Sequence, residues 1–262
     1  MLKTLILGAV QGLCEFLPVS SSGHLALFQI FMGFDDGMLT FDILLHFATL
    51  LAVVIYFRRD IVKIIADWFG GFVSSQRRQS SGWSYGWAII AATIVTAIIG
   101  FGLNSTAEKF SENLKLVGAG EIFTGLVLVS IPIIGAKRVN SSLIKTALIV
   151  GLAQGIAVLP GVSRSGMSIA AGILMGLGIS EAFKFSFLLS IPAILGATLL
   201  ECVKFLKSGT PVFMPEGYVL AAVIAFVLGF LTLDFMRRLV NGKNWAYFGV
   251  YCLIVGVTAV LI

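Results

Sequence analysis

Two short segments of this chain combine residue types that bind and transfer phosphoryl groups. Their sequences are PVSSSGH over residues 18–24 and PGVSRSG over residues 160–166. A serine hydroxyl can act as a nucleophile, a histidine as an acid or base, a carboxylate as a metal ligand or as the group that orients the histidine, and a guanidinium as a bidentate ligand of phosphate. Phosphoryl transfer depends mainly on positioning and charge neutralisation, which these groups supply. The candidate catalytic residues are Glu15, Ser21, His24 and Arg164, and Glu15 is also the candidate metal ligand.

Around these residues both segments are rich in small residues that expose backbone N–H groups. At a break between two helices such groups form an anion cradle, to which the N-terminus of the following helix adds its positive dipole. An ion pair between Glu15 and Arg164 would account for both charges as a structural feature, but it leaves the serines and glycines unexplained. The candidate substrate-binding residues are Gln11, Ser20, Ser22, Gly23, Ser163, Ser165 and Gly166.

The two segments belong to an internal repeat. A shift of 143 positions aligns Gly8–Gly23 with Gly151–Gly166 without a gap, and seven of the sixteen positions are identical. The two copies carry different reactive groups, so a site assembled from both tips would combine an acid, a hydroxyl and an imidazole with a guanidinium. The positions that differ in this way are Glu15 facing Val158, Ser21 facing Arg164, and His24 facing Met167.

The elements that position these segments are predicted to be membrane helices. Hydrophobic residues make up 58% of the chain and charged residues 12%, against roughly 45–50% and 25% in soluble domains. This composition excludes a soluble enzyme, and the apolar blocks approach the ~20 residues that a spanning helix needs. The blocks predicted to be full spans are Leu39–Phe57, Gly86–Leu103, Leu116–Gly135, Phe183–Leu206, Tyr218–Phe235 and Trp245–Ile262.

Two further apolar regions, around residues 3–33 and 144–178, are interrupted in the middle by the polar segments. Such interruptions are typical of re-entrant hairpins, whose non-helical backbone is tolerated where protein or a cavity satisfies it. The sequence therefore predicts an all-α polytopic membrane protein with six transmembrane helices and two re-entrant helical hairpins, arranged as an inverted-topology repeat. It predicts a single membrane domain over 1–262, with internal repeats at approximately 1–140 and 143–262.

The net charge of +5 indicates membrane orientation rather than a nucleic-acid partner. If the loop after the first span is cytoplasmic, twelve basic residues lie inside and five outside, apart from Arg164, as the positive-inside rule requires. Membrane lipids are therefore expected neighbours and nucleic acid is not. The charged stretch from Arg58 to Trp83 is predicted to be a solvated or surface-lying loop.

Several features of the spans leave alternatives open. Glu121, early in the third span, is expected to have a structural role and to reach a headgroup or a lysine. Asp42 and His46 lie one turn apart near the outer end of the first span, where a structural role and a place at the mouth of the site are both open. Glycine-rich spans such as Gly118–Gly125 allow packing within a protomer or between protomers, and the second arrangement would give a homodimer.

The stretch from Gln11 to His24, taken with Pro160–Gly166, closely resembles the two signatures of the undecaprenyl-pyrophosphate phosphatase family, known also for bacitracin resistance. The resemblance extends along essentially the whole chain, including Phe41-Asp42 and Phe185–Pro192. It implies an integral membrane hydrolase that removes one phosphate from a polyprenyl diphosphate at the outer (periplasmic or extracellular) face of the cell membrane. This reaction regenerates the lipid carrier for cell-wall glycan export.

The same resemblance implies dependence on a divalent cation, Mg²⁺ or Ca²⁺, and essential roles for the four candidate catalytic residues. Many members of the family have a second glutamate where this chain has Gln11. Because a glutamine supplies no negative charge, metal coordination is expected to depend on Glu15, substrate phosphates and water.

A transporter or flippase of the polyprenyl phosphate carrier is the alternative function, because inverted repeats with broken helices are typical of alternating access. Transport would use the anion cradle and Arg164. It has no need of a hydroxyl, an imidazole and a carboxylate in one loop, so the sequence favours hydrolysis.

Overall fold

The computed structural model describes residues 1–34, 38–134, 139, 141–208, 214–239 and 245–262. Within these ranges the chain forms eleven α-helices, one short 3-10 helix and no β-strand, which confirms the all-α class. The α-helices are α1 (Leu2–Cys14), α2 (Ser21–Met32), α3 (Leu39–Tyr56), α4 (Arg58–Val73), α5 (Ser81–Ser111), α6 (Leu114–Ile134), α7 (Leu143–Ile156), α8 (Arg164–Leu174), α9 (Ile179–Ser208), α10 (Tyr218–Leu239) and α11 (Trp245–Leu261).

The chain is a multi-pass membrane protein. Four helices (α5, α6, α9 and α10) are long and apolar enough to cross a bilayer, and α3 with α4 forms a bent pair that would make a fifth crossing. α11 is apolar but has only 17 residues. Each of the six predicted spans overlaps one of α3, α5, α6, α9, α10 and α11. The predicted span end at Gly135 lies outside the described residues, as do three of the twelve basic residues counted inside: Lys137, Arg138 and Lys243.

α4 corrects the prediction of a loop after the first span. It is a helix of 16 residues that meets α3 at an angle of 74°. One face exposes Val62, Ile65 and Phe69, whereas the neighbouring Trp68 ring packs edge-on against Trp87 of α5. A basic helix with an exposed apolar face is typical of a segment that lies in the membrane interface.

Both predicted hairpins are pairs of helices separated by a short non-helical segment, α1 with α2 and α7 with α8. A serine caps the second helix of each pair. The Ser20 Oγ accepts a hydrogen bond from the Gly23 N–H at 3.3 Å, and the Ser163 Oγ accepts one from the Gly166 N–H at 3.1 Å. Such caps satisfy N–H groups that a helix leaves unpaired in its first turn. The aligned serines of the two copies therefore have the same local role.

Matching glycine pairs hold the first helix of each hairpin against a helix from the other half of the chain. Gly8 and Gly12 of α1 lie against α10, and Gly151 and Gly155 of α7 lie against α5. Each approach is too close for a side chain, since a Cβ at Gly151 would lie 2.5 Å from the Ala92 carbonyl oxygen. Small residues four positions apart allow such close approach between membrane helices.

Replacement of Gly151 by alanine is therefore expected to destabilise the folded protein. The added methyl group would overlap the α5 backbone, and overpacking of this kind costs about 1–3 kcal/mol. Gly196→Ala is the control, because Gly196 also lies inside a helix but has nothing within 4 Å of its Cβ position. Thermal unfolding in detergent should show a lower midpoint for Gly151→Ala alone, and equal midpoints would contradict the close packing.

The glycine-rich span at Gly118–Gly125 packs within the chain. A Cβ at Gly118 would lie 2.7 Å from the carbonyl oxygen of Gly256, and one at Gly125 would lie 2.8 Å from that of Gly249. These glycines bring α6 and α11 together. Of the two arrangements that the sequence leaves open for this stripe, the structure contains the one within a protomer.

Candidate active site

The two non-helical segments meet inside the protein, although about 140 residues separate them along the chain. The Gly161 N–H donates to the Ser20 Oγ at 3.1 Å, and the Ser165 hydroxyl donates to the Leu17 carbonyl at 3.1 Å. The meeting of the two tips is therefore confirmed. It places the reactive groups of one segment against those of the other.

Glu15 is the centre of this cluster. Its Oε2 accepts hydrogen bonds from the Ser21 hydroxyl at 2.5 Å and from the Gln11 amide at 3.0 Å, and its Oε1 accepts one from the Arg164 Nη1 at 3.0 Å. The Glu15 side chain is buried. Because an unpaired buried carboxylate is costly, the Arg164 guanidinium and the two neutral donors stabilise its charged form. Three of the four candidate catalytic residues are thus brought together.

Ser20 has an uncommon backbone conformation, with φ 59° and ψ 92°. Positive φ is unfavourable for residues other than glycine, and strain of this kind is concentrated at functional sites. Here it allows the Ser20 Oγ to accept from both Gly23 and Gly161, while Ser21 becomes the first residue of α2. The strained residue therefore directs the Ser21 hydroxyl toward Glu15.

Thr124 of α6 is a supporting residue that the sequence does not reveal. Its hydroxyl donates to the Gly161 carbonyl at 2.9 Å and accepts from the Ser163 N–H at 2.9 Å. One buried side chain thus satisfies two backbone groups of the segment that carries Arg164, and no spacing in the sequence links it to that segment.

The candidate substrate-binding residues divide into two groups. Ser20, Ser22 and Ser163 line a small cavity beside Glu15. The others form hydrogen bonds within the protein instead of lining that cavity. Gln11 bonds to Glu15, Ser165 bonds to the Leu17 carbonyl, and the N–H groups of Gly23 and Gly166 bond to their capping serines.

His24 does not face this cluster. One ring nitrogen, Nδ1, lies 2.9 Å from the Ser20 carbonyl oxygen, and the other, Nε2, lies 2.7 Å from the Tyr251 hydroxyl. The Nδ1 atom is also 3.3 Å from a carboxylate oxygen of Glu121, which is fully buried. The hypothesis that Glu15 orients His24 is therefore wrong, and so is the expectation that Glu121 reaches a headgroup or a lysine. His24 and Glu121 are 97 positions apart in the sequence, and no local pattern links them.

His46, in contrast, lies beside Glu15. Its Nε2 is 3.8 Å from Glu15 Oε2, and its Nδ1 is 2.9 Å from the Asp42 carbonyl oxygen. The Asp42 carboxylate accepts from the Gln29 amide at 2.8 Å. Both His46 and Asp42 line the larger of two cavities at the site, which favours a place beside the site over a purely structural role.

The two cavities share Ser22, Ala157 and Arg164 in their walls. The small polar one has a volume of about 20 Å³, enough for a single water or phosphoryl oxygen. The larger one, of about 460 Å³, is bounded mainly by apolar residues, most of them from α5 and α9, together with Ala157 and Val158 after the end of α7. A ligand with an anionic head bound at Arg164 therefore has space for an apolar tail in the larger cavity.

Sequence comparisons agree with this arrangement. The family model described as "Bacitracin resistance protein BacA" matches residues 4–258. Proteins named undecaprenyl-diphosphatase are similar over nearly their whole length. The one from Desulfosudis oleivorans is 40% identical over 97% of this chain and 96% of its own. The one from Treponema denticola is 40% identical over 97% and 94%, and the one from Korarchaeum cryptofilum is 37% identical over 97% and 96%.

The matched residues include both segments that form the cluster and, apart from the outermost residues of α1 and α11, the helices that hold them. The chain therefore belongs to the family of the bacitracin resistance protein BacA.

Proposed function

We propose that this chain is an undecaprenyl-diphosphatase, which hydrolyses undecaprenyl diphosphate to undecaprenyl phosphate and inorganic phosphate. The observation that carries the proposal is the buried Glu15–Ser21–Arg164 cluster at the point where a polar cavity joins a large apolar one. The names of the relatives support the same activity. Its product is the lipid carrier used in cell-wall synthesis, so the activity bears on cell shape and on resistance to bacitracin.

The substrate is bound with its diphosphate against Arg164 and the first prenyl units in the larger cavity. Guanidinium groups suit phosphate because they donate two parallel hydrogen bonds. The cavity of about 460 Å³ is in the usual range for small-molecule sites. An undecaprenyl chain is longer than this cavity, so its distal units remain among the membrane lipids.

Ser21 is the nucleophile in this proposal. Its hydroxyl already donates to Glu15 Oε2, so its lone pairs are free to approach phosphorus. The Ser21 Oγ bonds to the terminal phosphorus while its proton passes to Glu15. The bond from that phosphorus to the bridging oxygen breaks, and undecaprenyl phosphate leaves with the electron pair. The oxygen of a water molecule then bonds to the phosphorus while the bond from phosphorus to Ser21 Oγ breaks. The released phosphate keeps the protons of the water, and Ser21 recovers its proton from Glu15.

A divalent cation, Mg²⁺ or Ca²⁺, is part of the proposal. No group of three or more His, Cys, Asp or Glu side chains placed to hold a metal occurs among the residues that the structure describes. Two oxygen donors are nevertheless adjacent, the Glu15 carboxylate and the buried Gln11 carbonyl oxygen, for which the described residues provide no hydrogen-bond partner. This set fits a cation shared with the substrate, since Mg²⁺ commonly uses one or two carboxylates together with substrate phosphates. When bound, the cation neutralises phosphate charge.

The membrane topology we propose has six crossings and two re-entrant hairpins in inverted repeats, with the site open to the outer face. The matching glycine contacts of α1 and α7 support the repeat. The position of the site is supported by α3, in which His46 lies in the first half and Arg58 and Arg59 follow the last turn. Under the positive-inside rule those arginines are cytoplasmic and His46 is nearer the outer face.

The direct test is phosphate release by the purified protein in detergent. With undecaprenyl diphosphate and Mg²⁺ or Ca²⁺, one phosphate should be released per substrate, and mass spectrometry should identify undecaprenyl phosphate as the other product. A folded protein that releases no phosphate with either cation would overturn the proposal. Net transfer of the lipid across a vesicle membrane without hydrolysis would then favour the flippase.

A further inference from the structure

We propose that the two histidines of this chain have separate roles: His46 binds the diphosphate, and His24 is a positioning residue that does not contact it. The inference rests on the proposed function of the same site. It differs from the expectation from the sequence, in which His24 is the acid or base of the reaction.

The hydrogen bonds of His24 are complete without substrate. A backbone carbonyl can only accept, so the His24 Nδ1 carries the proton and donates to the Ser20 oxygen at 2.9 Å. The Nε2 shares a hydrogen bond of 2.7 Å with the Tyr251 hydroxyl, and the two rings are stacked with centroids 5.6 Å apart. The residue is 4% exposed and lies in the wall of neither cavity at the site.

What His24 holds in place is Ser20. The His24 ring donates a hydrogen bond to the carbonyl of Ser20, the residue with positive φ. The Ser20 Oγ in turn accepts a hydrogen bond from the Gly161 N–H of the opposite segment. The Glu121 carboxylate also lies near the Nδ1 side of the His24 ring. It packs so closely against α2 that a Cβ at Gly23 would be 2.7 Å from a Glu121 carboxylate oxygen. His24 therefore fixes the turn from which Ser21 points toward Glu15.

His46, unlike His24, leaves one ring nitrogen available to the substrate. Its Nδ1 must donate to the Asp42 carbonyl, for the same reason as in His24, so the ring is oriented and Nε2 is the free nitrogen. At 3.8 Å from Glu15 Oε2, the Nε2 is beyond hydrogen-bond distance, and no residue in the described part of the chain binds it more closely. The side chain is 23% exposed and lines the same cavity as Arg164.

His46 and Arg164 flank Glu15 on its two oxygens, Oε2 and Oε1 respectively. A diphosphate bound at Arg164 therefore has the His46 ring on its other side. In the complex the Nε2 accepts a hydrogen bond from a protonated nonbridging oxygen of the diphosphate, while Nδ1 still donates to the Asp42 carbonyl. The ring position is set by α3, so this contact forms without a change in the two loops.

Four variants distinguish these roles, because an amide can reproduce one ring nitrogen without acid or base chemistry. His24→Asn keeps a donor near the Nδ1 position, and His46→Gln keeps an acceptor near the Nε2 position. We expect His24→Asn to retain kcat within about tenfold of wild type while His24→Ala loses far more. For His46→Ala we expect KM to rise by about 10- to 100-fold, the range for a hydrogen bond to a charged group, with little change in kcat or in thermal midpoint. His46→Gln should restore most of the lost affinity.

Thr258→Val is the control, because Thr258 is exposed and bonds only within its own helix, and it should change neither parameter. A His24→Asn protein as inactive as His24→Ala would show that the ring itself takes part in proton transfer. An unchanged KM in His46→Ala would show that this ring does not touch the substrate. Either result overturns the inference.

Binding of a methylene-bridged analogue of the lipid diphosphate, which cannot be hydrolysed, keeps this inference separate from the proposed function. If the wild-type protein binds the analogue but releases no phosphate from the substrate, hydrolysis fails, and the affinity of His46→Ala for the analogue still decides the role of His46. If the wild-type protein does not bind the analogue, both proposals fail.

Discussion

Arg164→Ala is expected to lower kcat/KM for undecaprenyl diphosphate by about 10³-fold or more, the effect seen where an arginine neutralises phosphoryl charge in the transition state. Arg164 is the guanidinium common to both cavities, and it also neutralises the buried carboxylate of Glu15. Arg164→Lys should recover only part of the activity. A lysine keeps the charge but loses the planar fork that binds two oxygens at once.

Arg238→Ala is the matched control for this prediction. It also breaks an arginine–carboxylate pair, with Asp234 at 2.5 Å, but on an exposed helix surface away from the site. Phosphate release should be unchanged in that variant. Activity of Arg164→Ala within tenfold of wild type would show that phosphate is held elsewhere. The thermal midpoint of Arg164→Ala in detergent, compared with that of wild type, would show whether its loss of activity comes from unfolding or from the lost guanidinium.

Ser21→Ala is expected to reduce kcat by about 10³-fold or more, because it removes the nucleophile while Glu15 and Arg164 remain in place. The KM should change little, since the hydroxyl is directed at Glu15 rather than at a bound anion. Measurements of phosphate release at several substrate concentrations would separate the two parameters. A phosphoserine at Ser21 should also be found by mass spectrometry after rapid acid quenching.

Ser111→Ala provides the comparison, because the Ser111 hydroxyl is exposed and bonds only to the Glu108 carbonyl. It should retain full activity. If Ser21→Ala retained more than about a tenth of wild-type kcat, a phosphoserine would be excluded as the main route. Water would then be the attacking group, with Glu15 as its proton acceptor.

The sequence predicted the parts of the site that lie in the two aligned segments. The alignment of the two segments identified Ser21 and Arg164 as different groups at equivalent positions, and the structure brings both to Glu15. The family assignment made from the same motifs is also confirmed. These features were accessible because each motif is short and continuous, so that its chemistry can be read locally.

The partners of His24 could not be predicted in this way. Glu121 and Tyr251 lie on α6 and α11, far from His24 in sequence, and only the packing of these helices brings them to its ring. The helix at Arg58–Val73 was missed for another reason. Its charged and apolar residues lie on different faces of the helix, a pattern that resembles a charged loop when it is judged by composition alone.

The packing of α1 against α10 has a consequence for the biogenesis of the protein. Gly8 contacts Ala221, so the first hairpin finds its final neighbour only after more than 200 further residues have been synthesised. The contact between α7 and α5 can form earlier, because α5 is synthesised before α7. During translation the N-terminal hairpin, with its serines and its carboxylate, is therefore without its final neighbour α10 until most of the chain has been synthesised. Separately expressed halves would each lack a neighbour that only the other provides.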